Sequence, residues 1–409
     1  MSNGELLQSL SNHLDKVFLP GVQPAKREYE LKEKTRVWLE QVATQMSPGA
    51  RLVPFGSHAS GFDLRNADID LCFMAATGEP AASWSTSHLV HELGRIIQWN
   101  APRGAQIELV TRARVPIVKL HFPLPAMNPG HQSAIASSFQ FDISFGNTLA
   151  IDNTRLLRTY GAIDSRLTTI VLFVKLWAKQ RQINNARDGT LNSYAYVLMV
   201  IHYLANIAKP PVLPNLQALA EQNHSDSISL SCPRYFDNLT ELAKHWPHQL
   251  NVDGTGKLLV GFFQYYLYNY DYDANVISIR TSGGLLHQLS KKWESDYPDT
   301  GLFIEDPFET DYNVSKSCTA YGVETLRHEL SRAIDLLLTF NISEGLDATI
   351  SELLRNPREW VPPRFPKNGK HASPPLLPAL QAMAKKPKPK QLSEDTEKSY
   401  ESQFPQLGK

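Results

Sequence analysis

The sequence predicts an α/β catalytic domain built on a small mixed sheet, followed by a mostly helical second domain, with a cleft between them. Three observations carry this. Two short apolar runs, at 52–55 (LVPF) and 69–73 (IDLCF), flank a polar, glycine-bearing segment and read as strands. Residues 139–145 alternate Phe139, Phe141, Ile143 and Phe145 with Gln140, Asp142 and Ser144, the two-residue period of a strand with one buried face. From Asn147 onward the pattern turns helical, and 167–178 (LTTIVLFVKLWA) is apolar nearly all round, as in a buried helix.

Taken in order, Leu6, Leu7, Leu10, Leu14 and Val17 mark a first helix. A break is expected at Leu19-Pro20-Gly21, then a second helix over about 25–45 that ends at Ser47-Pro48-Gly49. After the strand at 69–73, the spacing of His88, Leu89, Glu92, Leu93, Ile96 and Ile97 predicts an amphipathic helix over 83–99. Strands at 107–110 and 115–120 and the one at 139–145 complete the sheet. In the helical part, 191–207 and the aromatic-rich 258–270 read as helices, 276–279 as a short strand and 322–338 as a last helix. Residues 220–256 are polar and poorly periodic, as in loops and short helices. Past Trp360, proline, lysine and serine dominate (KKPKPK among them) and predict disorder. The expected organisation is N-terminal helices over 1–46 packing on the second domain, a catalytic domain over 47–147, a central domain over 148–360 and a tail over 361–409.

The chemistry concentrates in 52–73. Asp68 and Asp70 lie two apart on what reads as a strand, so both side chains leave one face and can share a metal ion. Such carboxylates suit Mg²⁺, which prefers a few hard oxygens plus substrate phosphates. An isolated Asp-x-Asp also occurs in turns, capping backbone N–H groups. Here Gly56 and Ser57 stand eleven residues upstream, where a close backbone approach and a hydroxyl can hold phosphate oxygens. Asp142 adds a third carboxylate on the polar face of its strand, enough donors for a pair of divalent cations.

These residues carry a resemblance. The Gly-Ser to Asp-x-Asp spacing with a later third aspartate resembles the polymerase-β-like nucleotidyltransferases. FDISFGNTLAIDNTRLL, VLFVKLWAKQRQIN, GTLNSYAYVLMVIHYL and IEDPFETDYNVS resemble successive blocks of the cytoplasmic terminal uridylyltransferases and non-canonical poly(A) polymerases, over about residues 30–340. The resemblance implies transfer of a nucleotide from UTP or ATP to the 3′ end of single-stranded RNA, with Mg²⁺ or Mn²⁺. It implies triphosphate contacts from Ser57, Lys175, Lys179 and Ser193, and base stacking on Tyr194. Asn147, Asn153 and Thr154 are implied for the ribose and base, and Asp306 and Glu309 for reading the base edge. Tyr312 departs from the pattern. Uridylyl-selective relatives have a histidine before the Asn-Val of this loop, so UTP, ATP and a mixed activity including CTP all stay open. A small-molecule or second-messenger nucleotidyltransferase and a non-catalytic RNA-binding scaffold are the alternatives on the same fold.

Composition sets bounds. Forty-one basic and forty-one acidic residues give no net charge, so affinity for RNA has to come from a local surface. Arg112, Arg114, Lys119, Arg280, Lys291 and Lys292 are candidates for a phosphate groove. Three scattered cysteines, with no CxxC, argue against a disulfide framework or a zinc site. No apolar run approaches the roughly 20 residues of a membrane span. A monomeric, cytoplasmic protein is expected; the basic tail reads as a solubilising segment, with weak RNA affinity or a nuclear signal as the alternatives.

Overall fold

A computed structural model describes residues 3–76, 85–123, 138–222, 234–246, 250–291, 293, 300–338 and 345–357. Residues up to Pro357 form one unit. The expected tail and Lys292 lie outside the described residues.

Alternation decides the sheet. In β5 (Ser138–Phe145) the phenylalanines and Ile143 are buried while Gln140 and Asp142 stay half-open. It pairs in parallel with β2 (Ile69–Met74) and antiparallel with β4 (Ile117–Pro123). β1 (Arg51–Phe55) and β3 (Gln106–Val110) complete the order β1-β2-β5-β4-β3. The buried face packs beneath two helices, here α2 (Lys26–Ala43) and α3 (Thr86–Asn100). Leu39, Val42, Leu89, Leu93 and Ile97 meet Leu52, Leu71, Phe141 and Ile143 in one core. The opposite face carries a row in strict register: Phe55, Asp70, Asp142, Lys119 and Glu108, one from each strand.

A second core is helical. α1 (Asn3–His13), α4 (Thr148–Ile163), α5 (Ser165–Gln180), α6 (Ser193–His202), α7 (Thr255–Gln264), α8 (Ala320–Leu338) and α9 (Leu346–Leu353) bury Leu10, Tyr160, Phe173, Trp177, Leu198, Phe262 and Leu330 together. Gly256 lets α7 lie against α1, since a Cβ there would sit 2.7 Å from the Leu7 carbonyl oxygen. A short sheet of β6 (Asn275–Ile277), β7 (Leu285–His287) and β8 (Phe303–Ile304) runs in the order β7-β6-β8 and leads directly into Glu305 and Asp306.

Two expectations are corrected. Helical backbone runs through Leu19–Val22, and the break falls after it, at Gln23. Pro20 lies just after a π-helical turn at Leu14–Phe18, and its fixed φ lets the helical backbone continue to Val22. Of the N-terminal helices, expected to pack on the second domain, α1 joins the helical core but α2 packs on the sheet. Sequence reading also missed a turn of helix at Gly56–Ser60, the short strands β7 and β8, and α9.

Candidate active site

Asp70 and Asp142 are register partners on parallel neighbours, so their side chains leave the sheet side by side. Asp68 is exposed and lies one residue before β2 begins, not within it as its spacing suggested. Burial, then repulsion from Asp68 and Asp142, pushes the Asp70 carboxyl up to about 7. Burial also raises Asp142, although the Lys119 ammonium lies 3.1 Å from its Oδ2 and Gln140 Nε2 donates to its Oδ1 at 3.3 Å. Among the described residues, no three His, Cys, Asp or Glu side chains are gathered tightly enough to grip an ion as they stand. The donor chemistry nevertheless fits a divalent cation. Two register-matched carboxylates with a third near enough to repel them form a site that positive charge stabilises. Lys119 supplies part of that charge.

Gly56 explains the turn that faces them. Its φ is +71°, and a Cβ on it would lie 2.2 Å from Asp70 Oδ2. Its N–H donates to Thr154 Oγ1 at 2.8 Å, and that hydroxyl donates in turn to the Ala150 carbonyl at 2.6 Å. Thr154 therefore holds the glycine turn, its hydroxyl proton is committed to the Ala150 carbonyl, and the Gly56 N–H is not open to a phosphate.

Next to this turn opens a cavity of about 620 Å³, lined by Gly56, Ser57, Asp68, Asp70, Gln140, Asn153, Thr154, Lys175, Lys179, Asn184, Ser193 and Tyr194 among others. Asp142, Asn147, Asp306, Glu309 and Tyr312 are not on its wall. Lys175 and Lys179 share one side of α5, as their spacing requires. Lys175 is buried and donates to the Phe62 carbonyl at 2.5 Å; burial lowers its ammonium to about 8, against the pull of Asp63, Asp68 and Asp70. Ser193 is not the cap of α6. Asn192 is, accepting from Ala195 N–H, while Ser193 Oγ accepts from Asn184 Nδ2 at 2.8 Å. Asn147 precedes α4 without a side-chain capping bond.

Asp306 is the organiser of its segment. Its Oδ1 accepts from the Phe308 and Glu309 N–H groups, and its Oδ2 from Asn153 Nδ2 at 3.1 Å and the Tyr194 hydroxyl at 3.2 Å. With both oxygens committed, it fixes Asn153 and Tyr194 and does not point free at a base. Asn153 Oδ1 is buried and has no hydrogen-bond partner among the described residues. Glu309 pairs with Arg114 at 3.2 Å. The Tyr312 ring lies 4.2 Å from the Arg114 guanidinium and 4.8 Å from the Lys316 ammonium, both measured to its centroid.

The expected phosphate groove is largely spent on internal pairs. Arg280 and Lys291 both bind the buried Glu305, at 3.0 and 2.6 Å, Lys119 binds Asp142, and Arg114 binds Glu309. Arg112 is exposed. Basic residues scattered in sequence give no hint of buried acidic partners, so composition could not separate paired from open cations.

A palm sheet of this topology with a poly(A)-polymerase-associated helical part defines the class: a nucleotidyltransferase of the polymerase-β-like type. Residues 10–162 match the central palm domain of mitochondrial-like poly(A) RNA polymerases, and 255–312 match the Cid1 family of poly(A) polymerases. The terminal uridylyltransferase cid1 of Schizosaccharomyces pombe is 34% identical over 353 residues, covering 82% of this chain and 81% of the relative. The poly(A) RNA polymerase GLD2 of Rattus norvegicus is 30% identical over 316 residues, covering 75% and 59%. A crystal structure of the Cid1 poly(U) polymerase with magnesium and 3′-dATP superposes with a TM-score of 0.69 at 31% identity, covering 87% of this chain and all of that one. The chain belongs to the Cid1 family, which joins terminal uridylyltransferases and poly(A) RNA polymerases. No helix among the described residues is long and apolar enough to cross a membrane.

Proposed function

We propose that this protein adds nucleotides, without a template, to the 3′ end of single-stranded RNA, taking UMP or AMP from the nucleoside triphosphate and releasing pyrophosphate. The observation that carries the reading is the register pair Asp70–Asp142, with Asp70 lining a cavity that Lys175, Lys179 and Ser193 also line. Carboxylates and ammonium groups around one cavity suit a metal-bound triphosphate.

Asp68, Asp70 and Asp142 would hold magnesium or manganese. Such an ion, when bound, neutralises phosphate charge and makes a hydroxyl easier to deprotonate. Every other task falls to the chain. Lys179 and the Ser57 and Ser193 hydroxyls bind the triphosphate, and Lys175 fixes the Phe62 carbonyl at the back of the cavity while lending positive charge. Asn153 Oδ1, buried and unpartnered on the cavity wall, suits the ribose 2′-hydroxyl as donor. Tyr194 presents its ring to the base while Asp306 holds its hydroxyl. Asn147 borders the sugar, and Glu309 and Tyr312 read the base edge. Thr154 acts through Gly56. Residues 47–147 serve as the catalytic domain and 148–360 as the nucleotide-binding one.

Likeness to both uridylyltransferases and poly(A) polymerases leaves the nucleotide to Tyr312. Its hydroxyl donates as a histidine would, but its ring is longer and is held by two cations, so we assign a mixed U and A preference. The protein acts as a cytoplasmic monomer in this reading. The test extends a labelled RNA oligonucleotide with each ribonucleoside triphosphate separately, then with an equal mixture, and sequences the tails. Metal-dependent release of pyrophosphate without RNA extension would point instead to a small-molecule acceptor.

A further inference from the structure

The segment that delivers Asp68 is fastened from behind, outside the cavity, by a buried ion pair. Glu28 and Lys32 lie one turn apart on α2, 2.8 Å between charged ends, with both side chains fully buried (0% exposed). Withdrawing two charges from water is costly, and apolar residues of similar size fill such space at least as well. Stability therefore gives little reason for the pair, so its other bonds matter. Glu28 Oε1 accepts from the Asn66 N–H at 2.8 Å, and Lys32 Nζ donates to the Ala67 carbonyl at 2.8 Å. The first of these belongs to the 65–66 peptide and the second to the 67–68 peptide, which leads into Asp68. Asn66 takes φ +60°, the left-handed region that asparagine enters more readily than other non-glycine residues, and the Glu28 bond fixes it there.

The neighbouring contacts grip the same stretch. Tyr29, also on α2, donates to the buried Asp63 at 2.8 Å and stacks on His58, whose Nδ1 lies 3.0 Å from the other Asp63 oxygen. Lys175 holds the Phe62 carbonyl from the opposite side. Residues 62–67 are thus tied to α2 and α5 by groups that do not themselves face the sheet's carboxylates, Lys175 excepted. Asp68, exposed and outside β2, has no strand register of its own to place it.

We propose that Glu28 and Lys32 are positioning residues, setting through Asn66 and Ala67 where the Asp68 carboxylate stands relative to Asp70. This rests on the reading of Asp68 as a metal-holding residue. The test uses the full chain and measures Mn²⁺ affinity by the electron paramagnetic resonance of the free ion. Glu28→Gln/Lys32→Met keeps an acceptor for Asn66, removes the donor to Ala67 and leaves no buried charge unpaired. It is expected to retain the wild-type circular dichroism spectrum and bind Mn²⁺ at least tenfold more weakly, with its lost RNA extension recovered by excess Mn²⁺. Glu28→Gln/Lys32→Gln, a neutral polar pair whose second member is one atom too short to reach Ala67, carries the same measurement if the first double variant fails to fold. Folded variants that bind Mn²⁺ within twofold of wild type, or whose lost activity no excess of Mn²⁺ recovers, overturn the proposal. Asp68→Asn runs in parallel: a weakened affinity there with none in the α2 variants removes the strut alone, while an unchanged affinity in Asp68→Asn removes the reading beneath it.

Discussion

Gly56 is the residue where backbone and chemistry meet most tightly. A methyl group at that position would have to occupy the place of the Asp70 carboxylate while the backbone stayed at positive φ. Gly56→Ala is expected to lower RNA extension at least tenfold and to cost about 1–2 kcal/mol of stability, read by denaturant titration. Asp70 makes a pH signature. The unfolded chain gives up this proton near the ordinary carboxyl value, whereas the folded protein keeps it to about 7. The folded state therefore binds more protons between about pH 4 and 7, and this group's contribution to stability falls as pH rises through that window. Asp70→Asn is expected to raise the Tm of the metal-free protein clearly at pH 8 and little at pH 5, and to blunt the further rise that Mg²⁺ gives wild type. Tyr312→His is expected to shift incorporation toward U over A by about threefold or more, read by tail sequencing. If that ratio stays put, Tyr312 is not the selector. At this scale the sequence disclosed which residue types gather at the site. It did not disclose that Thr154 and Asp306 spend their oxygens on holding Gly56, Asn153 and Tyr194, because those partners lie 98, 153 and 112 positions away.

Elements with strong periodicity were readable. The alternation at 139–145 became β5, and the apolar run at 167–178 became α5, with Phe173 and Trp177 fully buried. Trp177→Ala is expected to cost about 3–5 kcal/mol by opening a cavity in the helical core, measured by denaturant titration. Elements of two or three residues were not readable. β8 has two residues and β7 three, too few for a period, and each is a strand because β6 pairs with it. The helix break was misplaced because Pro20 lies just after a π-helical turn, where the helical backbone carries on past a proline for one more turn. The placement of α2 on the sheet was invisible too. Its buried residues include Glu28 and Lys32, which a hydrophobic pattern treats as solvent-facing.

Within the unit that ends at Pro357, side chains from the sheet (Asp70, Gln140) and from the helical part (Asn153, Lys175, Tyr194) line one cavity. Every residue assigned to the site lies in that unit, so a chain of residues 1–357 is expected to keep the Tm and the extension activity of the full chain within about twofold. Zero net charge, with most basic candidates paired internally, implies weak RNA binding beyond the terminal nucleotides, and a shallow salt dependence follows. The most direct measurement is extension of a labelled single-stranded RNA by purified wild type, Asp70→Asn and Asp142→Ala, with UTP or ATP and Mg²⁺ or Mn²⁺. Wild type should lengthen the RNA and release one pyrophosphate per nucleotide, and both variants should fold yet fall by about a thousandfold or more. Tails of wild-type length from either variant, or no tails from wild type with any ribonucleotide, would contradict the site and the function built on it.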